Sequence, residues 1–196
     1  MSKENTRIGF AFCGSYCTYG SAMAALEAVA ARWSEVTAIV SERGVVTDTR
    51  FGEARAWLAE MERITGKPPL TAIPEVEPIG PKKLLDALVV CPCTGNTLGK
   101  LAHGIADTSV TMAAKSHLRN GRPVVLAVST NDGLAGSAEN IGRLLARRDF
   151  YFVPFRQDDP AGKPRSLVAD FSLVPQTVAA ALEGRQLQPV LLAPRV

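Results

Sequence analysis

The chain has 196 residues, 46% of them hydrophobic and 21% charged, with a formal net charge of +3. That is ordinary globular composition, and enough chain for one domain with a sizeable core. A charge this small, with no basic run longer than Arg147-Arg148, argues against a nucleic-acid partner, and no apolar stretch approaches the length of a membrane span.

Met1–Arg7 leads into a strand and lacks the apolar run of a signal peptide. Arg7–Cys13 alternates and is β-prone, so it is a first strand; Gly14–Gly20 is a turn, and Ala22–Ala31 a strong helix. Backbone amides and a helix dipole at such a turn suit a phosphate. The Gly-x-Gly-x-x-Gly fingerprint is missing, so a mononucleotide phosphate on Gly14, Ser15 and Thr18 fits better than a dinucleotide. Simple helix capping by Ser15 and Thr18 is the competing reading. Glu35–Val40 is a second strand with Ser41 at its carboxyl end. Asp48–Gly52 is a polar loop, and Glu53–Ile64 an amphipathic helix closed by Gly66. Leu70–Ile73 reads as a short strand and Glu75–Pro81 as a proline-rich linker within the domain.

The stretch Ala87–Asp107 organises the rest. Leu88–Cys91 is an apolar run typical of a strand covered on both faces, and Pro92 ends it for want of an amide proton. Thr94, Gly95, Asn96 and Thr97 then supply hydroxyls, a carboxamide and bare backbone where a helix begins. Leu98, Leu101, Ala102 and Ile105 follow at helical spacing up to Gly104. Thr94 or Asn96 could merely cap this helix. Val110–Arg119 is helical, and Arg122–Ser129 is another apolar strand that runs into the polar loop Ser129–Gly136. Asn140–Arg147 is a helix and Tyr151–Pro154 a late strand. Phe155–Ser166 reads as the longest loop without structure, followed by a helix over Leu173–Leu182 and an extended tail from Pro189 to Val196.

This alternation predicts one doubly wound, Rossmann-like α/β domain of three layers around a mainly parallel sheet. Gly14–Thr18, Ser41, Cys93–Thr97 and Ser129–Asn131 each follow an apolar strand. All four are therefore expected to converge at the carboxyl edge of the sheet, where such folds bind ligands. The four cysteines form no disulfide framework, and the Cys13–Cys17 and Cys91–Cys93 spacings are weak support for zinc. No metal is expected, and the thiols read as reduced and cytosolic.

Pro92–Asp107 resembles the Pro-x-Ser-Ala-Asn-Thr motif of the oligomeric FMN-binding, decarboxylase-type flavoproteins. Asn131 through Asn140 to Phe152-Val153-Pro154 is similar to that family's Met-Asn loop, helix and strand. The likeness is closer to one branch, the B subunits of the dipicolinate synthases of spore-forming bacteria. Thr47–Gly52, Glu77–Asp86, Ser129–Gly133, Phe152–Phe155, Gln157–Pro160 and Gln186–Val190 carry it, so it covers essentially the whole chain.

The resemblance implies that Gly14, Ser15 and Ser41 receive the phosphate of FMN, while Asn96 and Thr97 face the ribityl chain and flavin ring. It also implies a homo-oligomer built from trimers or a dodecamer, with cofactor sites between protomers. For the branch, it implies a companion A subunit that holds NADP and a small dicarboxylate substrate oxidised to dipicolinate. The setting implied is the cytoplasm of the mother cell in a sporulating bacterium.

The departures narrow this. Thr94 and Gly95 stand where the motif has serine and alanine, no histidine lies near Thr47–Phe51, and the Pro-x-Met-Asn signature is reduced to Thr130-Asn131. Cysteine decarboxylation is therefore not expected. A self-sufficient FMN-dependent flavoprotein and a non-catalytic subunit with a vestigial pocket are the alternatives. Both histidines, His103 and His117, are expected on solvent-facing helix surface. Two substrate carboxylates call for cations, and Arg50, Lys115 and Arg156 are the candidates, with solvated surface charge as the bland reading. The apolar content of Val110–Leu118 and of Leu191-Leu192 is expected to be exposed and to meet a partner.

Overall fold

A computed structural model describes residues 4–193. The first residues of the expected entry strand (1–3) and the last of the expected tail (194–196) lie outside the described residues. In chain order the elements are β1 (Glu4–Phe12), α1 (Tyr19–Arg32), β2 (Trp33–Val40), α2 (Glu42–Val46), α3 (Ala54–Thr65) and α4 (Ile73–Val76). Then come β3 (Ala87–Cys93), α5 (Gly95–His103), α6 (Ser109–Leu118), β4 (Val124–Thr130) and α7 (Ala138–Leu145). The chain closes with β5 (Phe150–Phe152), β6 (Phe155–Asp159), β7 (Lys163–Ala169) and α8 (Val174–Leu182).

Among the described residues seven strands make one sheet in the order β2-β1-β3-β4-β7-β6, with β5 beside β4 off that path. The pairs β1–β2, β1–β3, β3–β4 and β4–β5 are parallel, whereas β4–β7 and β6–β7 are antiparallel. β3 lies at the centre, and every one of its residues is buried. Its uninterrupted run of apolar side chains fits a strand covered on both faces, and β4 repeats the pattern. Helices α1 and α8 touch each other and pack over β3, while α6 packs on β2, β3 and β4 together with α4 and α5. This is the three-layer arrangement of a doubly wound fold, with its core on both sides of β3.

The parallel half matches the alternation of the sequence, and the other half departs from it. The expected long loop is instead the hairpin β6–β7, whose base hydrogen-bonds to the end of β4 through Ser129↔Val168 and Thr130↔Leu167. Leu70 makes only an isolated bridge to Ile39, and the proline-rich linker folds into α4 and a 3-10 turn. Pro74 sits in the first turn of α4, where a missing amide proton costs nothing. Strand β3 runs past Pro92 to Cys93, with its register to β4 shifted between Val90 and Cys93. The apolar face of α6 is not surface: Val110, Ala113 and Ala114 are buried against the chain's own sheet. Leu191 is exposed, as expected of the tail.

Candidate functional site

Three parallel strands end side by side, and each delivers a polar turn to the same edge. After β1 the chain makes Gly14, Ser15 and a single 3-10 turn before α1. Neither Ser15 nor Thr18 caps a helix with its side chain. Thr18 Oγ1 donates instead to the carbonyl oxygen of Ser15 at 2.9 Å, and Ser15 Oγ lies 2.9 Å from Ser129 Oγ at the end of β4. Thr18 Oγ1 is also within 3.5 Å of Ser129 Oγ, so three hydroxyls bridge the end of β3 from one side to the other.

The turn after β3 separates two roles. Thr94 caps α5, accepting from the amide of Thr97 at 3.2 Å. Asn96 is exposed and its carboxamide makes no hydrogen bond among the described residues. Thr97 is buried and donates to Cys13 Sγ at 3.2 Å. Gly104 ends α5 in the left-handed region at φ 71°, where a side chain would be strained.

The loop after β4 is tied down by Asp132. Thr130 Oγ1 and Ser137 Oγ both donate to Asp132 Oδ1, at 2.5 and 2.8 Å. These bonds, that of Thr130 foremost, hold the Asp132 carboxyl below the usual carboxylate range. Gly95 lies against this cluster: a Cβ there would meet Ser137 Oγ at 2.5 Å and Thr130 Oγ1 at 2.7 Å.

Two cavities open between these turns. The larger, about 610 Å³, lies between the Gly14–Thr18 turn, the Thr94–Asn96 turn, the loop Ser129–Asp132 and the β6–β7 hairpin. The second, about 520 Å³, lies on the other side of Asn96 and is lined by Ser41, Thr97, Lys100 and Thr108. Gly14, Thr94 and Asn96 form the wall common to both. Both volumes fall in the range of small-molecule sites.

Of the sequence-derived candidates, Gly14, Ser15, Thr18, Thr94, Gly95, Asn96, Ser129 and Asn131 line the larger cavity, and Ser41 and Thr97 the second. Cys93 lines neither, because its side chain is fully buried under the turn and burial pushes its thiol well up. Tyr16 and Cys17, within the expected Gly14–Thr18 turn, line the larger cavity too, whereas sequence reasoning missed Thr49, Phe51 and Asp132, and Asp158 and Lys163 on the hairpin. The first three sit in loops already read as polar. The last two sit in a segment read as loop.

None of the three candidate cations faces the larger cavity. Arg50 is exposed with its guanidinium 4.9 Å from the Phe51 ring centroid, and Lys115 is exposed on α6. Arg156 pairs with Asp170 at 2.8 Å beyond the hairpin. His103 is exposed and bonds the Gly99 carbonyl within its own helix. His117, expected at the surface, is fully buried: its Nε2 lies 3.2 Å from the Pro123 carbonyl, and burial pulls the imidazole down to about 4. Its neighbours on α6 point the same way, because that face is core.

The model of the flavoprotein family matches residues 1–145. The dipicolinate synthase B subunit of Bacillus subtilis (strain 168) is 44% identical over 191 residues, covering 97% of this chain and 96% of that protein. The crystal structure of the dipicolinate synthase B subunit from Bacillus halodurans aligns with a TM-score of 0.90 at 42% identity, over 98% of this chain and 99% of that one. An FMN-dependent cysteine decarboxylase, SpaF, shares the fold at a TM-score of 0.62 and 21% identity, over 91% of this chain and 97% of its own. The chain belongs to the flavoprotein family and, within it, to the dipicolinate synthase B subunits.

Proposed function

We propose that this chain works with a dipicolinate synthase A subunit to oxidise a dihydrodipicolinate-type precursor to dipicolinate. The observation that carries the reading is the near-full-length likeness to the Bacillus subtilis protein, 44% identical over 97% of the chain. In this reaction the dihydropyridine ring loses a hydride and a proton and becomes aromatic. We assign the hydride acceptor, NADP, to the A subunit, because the Gly14 turn lacks a dinucleotide fingerprint.

The residues present fit a flavin mononucleotide. The bare Gly14 backbone and the Ser15 and Thr18 hydroxyls make a cradle for phosphate at the first turn of the 14-residue α1. Ser41 and Asn96, whose side chains make no hydrogen bond among the described residues, are free to meet the phosphate and the ring system respectively. When bound, FMN would supply a two-electron acceptor at this edge. Among the described residues no histidine lines either cavity, which disfavours a self-sufficient decarboxylase.

The exposed Phe51 and Leu134 flank the same edge, apolar surface suited to a second protomer in a homo-oligomer. Among the described residues no helix is long and apolar enough to cross a membrane. The reading places the complex in the cytoplasm of a spore-forming cell.

The test is reconstitution. Dipicolinate formation from the precursor and NADP is measured with the companion protein by itself and then with this chain added. The same preparation is examined for flavin absorbance and sedimented against the 20.9 kDa monomer mass. Product that depends on both chains is expected, from an assembly larger than a monomer. A companion protein equally active by itself would remove this chain from the reaction.

A further inference from the structure

We infer that Lys163, at the start of β7, is the group that binds a carboxylate of the substrate in the larger cavity, and that Asp158 holds its place until substrate arrives. The inference rests on the proposed reaction, because it takes the ligand to be a dicarboxylate. Its starting point is charge. The wall of the larger cavity is built from hydroxyls, carboxamides and two carboxylates, Asp132 and Asp158, and Lys163 is its single cation among the described residues. Asp132 already accepts from Thr130 and Ser137 and stays ionised. A dicarboxylate entering beside it meets a like charge unless a cation answers it.

Lys163 is built to stand there. Its strand is paired to the end of β4 at Ser129 and Thr130, and Ser166 Oγ donates to the Thr130 carbonyl at 3.3 Å. The hairpin closes on the pair Asp159↔Lys163, and the Gly162 amide donates to Asp159 Oδ1 at 2.9 Å. The backbone of Lys163 is thus fixed from both ends, while its ammonium, 2.8 Å from Asp158 Oδ2, remains largely in solvent. Asp158 also lines the cavity. Exchanging the Asp158 carboxylate for one from substrate keeps the ammonium paired and leaves the half-exposed Asp158 carboxylate to water. The carboxamide of Asn131 lines the same cavity and can donate to the second carboxylate.

The two members of the pair should then act with opposite sign. Binding of pyridine-2,6-dicarboxylate to the purified chain is measured by calorimetry, and KM and kcat are measured in the reconstituted pair. Lys163→Met should weaken binding and raise KM about tenfold with kcat within threefold. Lys163→Arg should retain most of the affinity. Asp158→Asn, which frees the ammonium, should tighten binding and lower KM severalfold. If Lys163 serves only to hold the hairpin, Asp158→Asn weakens binding as Lys163→Met does, and the inference falls. It falls equally if Lys163→Met leaves KM unchanged, or if the wild-type chain binds no dicarboxylate. A wild-type pair that makes no dipicolinate while the chain still binds dicarboxylate through Lys163 would overturn the proposed reaction and leave this assignment standing.

Discussion

The carboxamide of Asn96 stands on the wall common to both cavities while Thr94, two residues earlier, takes the cap of α5. That division frees Asn96 from capping, because Thr94 accepts from the Thr97 amide. Replacing Asn96 by alanine removes one donor and one acceptor, and an orphaned partner in a desolvated site costs about 1–3 kcal/mol. If Asn96 orients cofactor or substrate, turnover by the reconstituted pair falls by roughly ten- to a hundredfold at about 1.4 kcal/mol per decade. Thermal stability should hardly move, since Thr94 keeps its bond from the Thr97 amide. His103→Ala is the matched control: that ring accepts from Arg143 at 3.3 Å on the exposed side of α5 and lines neither cavity. Rates unaffected at position 96 but abolished at 103 would reverse the assignment of the site.

At the scale of elements, Gly95 shows how closely the turn after β3 is fitted to the loop after β4. Alanine at 95 puts a Cβ 2.5 Å from Ser137 Oγ and 2.9 Å from Asp132 Oδ1, so the Thr130–Asp132–Ser137 cluster must open. Overpacking of this kind costs about 1–3 kcal/mol. Gly95→Ala should lower the urea midpoint accordingly and weaken ligand binding, and Gly99→Ala, whose Cβ has 3.5 Å to its nearest neighbour, should do neither. Equal midpoints for the two variants would show that the loop yields freely.

The family motif has alanine where this chain has Gly95, so its departure from the pattern is explained by a contact that the motif alone does not reveal. The buried strands β3 and β4 were legible because two-sided burial writes an unbroken apolar run. The turn at Thr94 was legible because it stands between such a run and a helical period. The hairpin β6–β7 was not: it is an edge, solvated on one side, so Asp158, Asp159, Pro160 and Lys163 break its alternation. Lys163 was missed for the same reason. The buried face of α6 was misread because periodicity marks an apolar face without saying whether the chain itself or a partner covers it.

Seen whole, the molecule places its ligand edge at one end of the sheet and a charged clasp at the other. Asp86, just before β3, pairs with Arg7 at 2.8 Å and Arg122 at 3.0 Å, and Arg122 also donates to the Leu85 carbonyl. His117 lies buried behind this clasp, donating to the Pro123 carbonyl that precedes β4. Burial lowers its pKa from 6.5 to about 4, with Arg122 acting in the same direction and the Pro123 carbonyl and Asp86 against it. A neutral folded imidazole with a depressed pKa contributes stability that is present above about 6.5 and is lost as pH falls toward about 4. Below about 6.5 the unfolded chain takes up a proton that the folded chain refuses. The loss between pH 7 and pH 5 is about 2 kcal/mol for this one group. The Asp86 carboxyl, held low first of all by Arg7, gives way only at lower pH, so it leaves that window to His117. Urea unfolding at pH 7, 6 and 5 should therefore show a steady fall in the wild type. His117→Gln, which cannot titrate, should be less stable at pH 7 and nearly flat across the same range. A variant whose stability falls as steeply as the wild type's would mean that the acid sensitivity arises elsewhere in the fold.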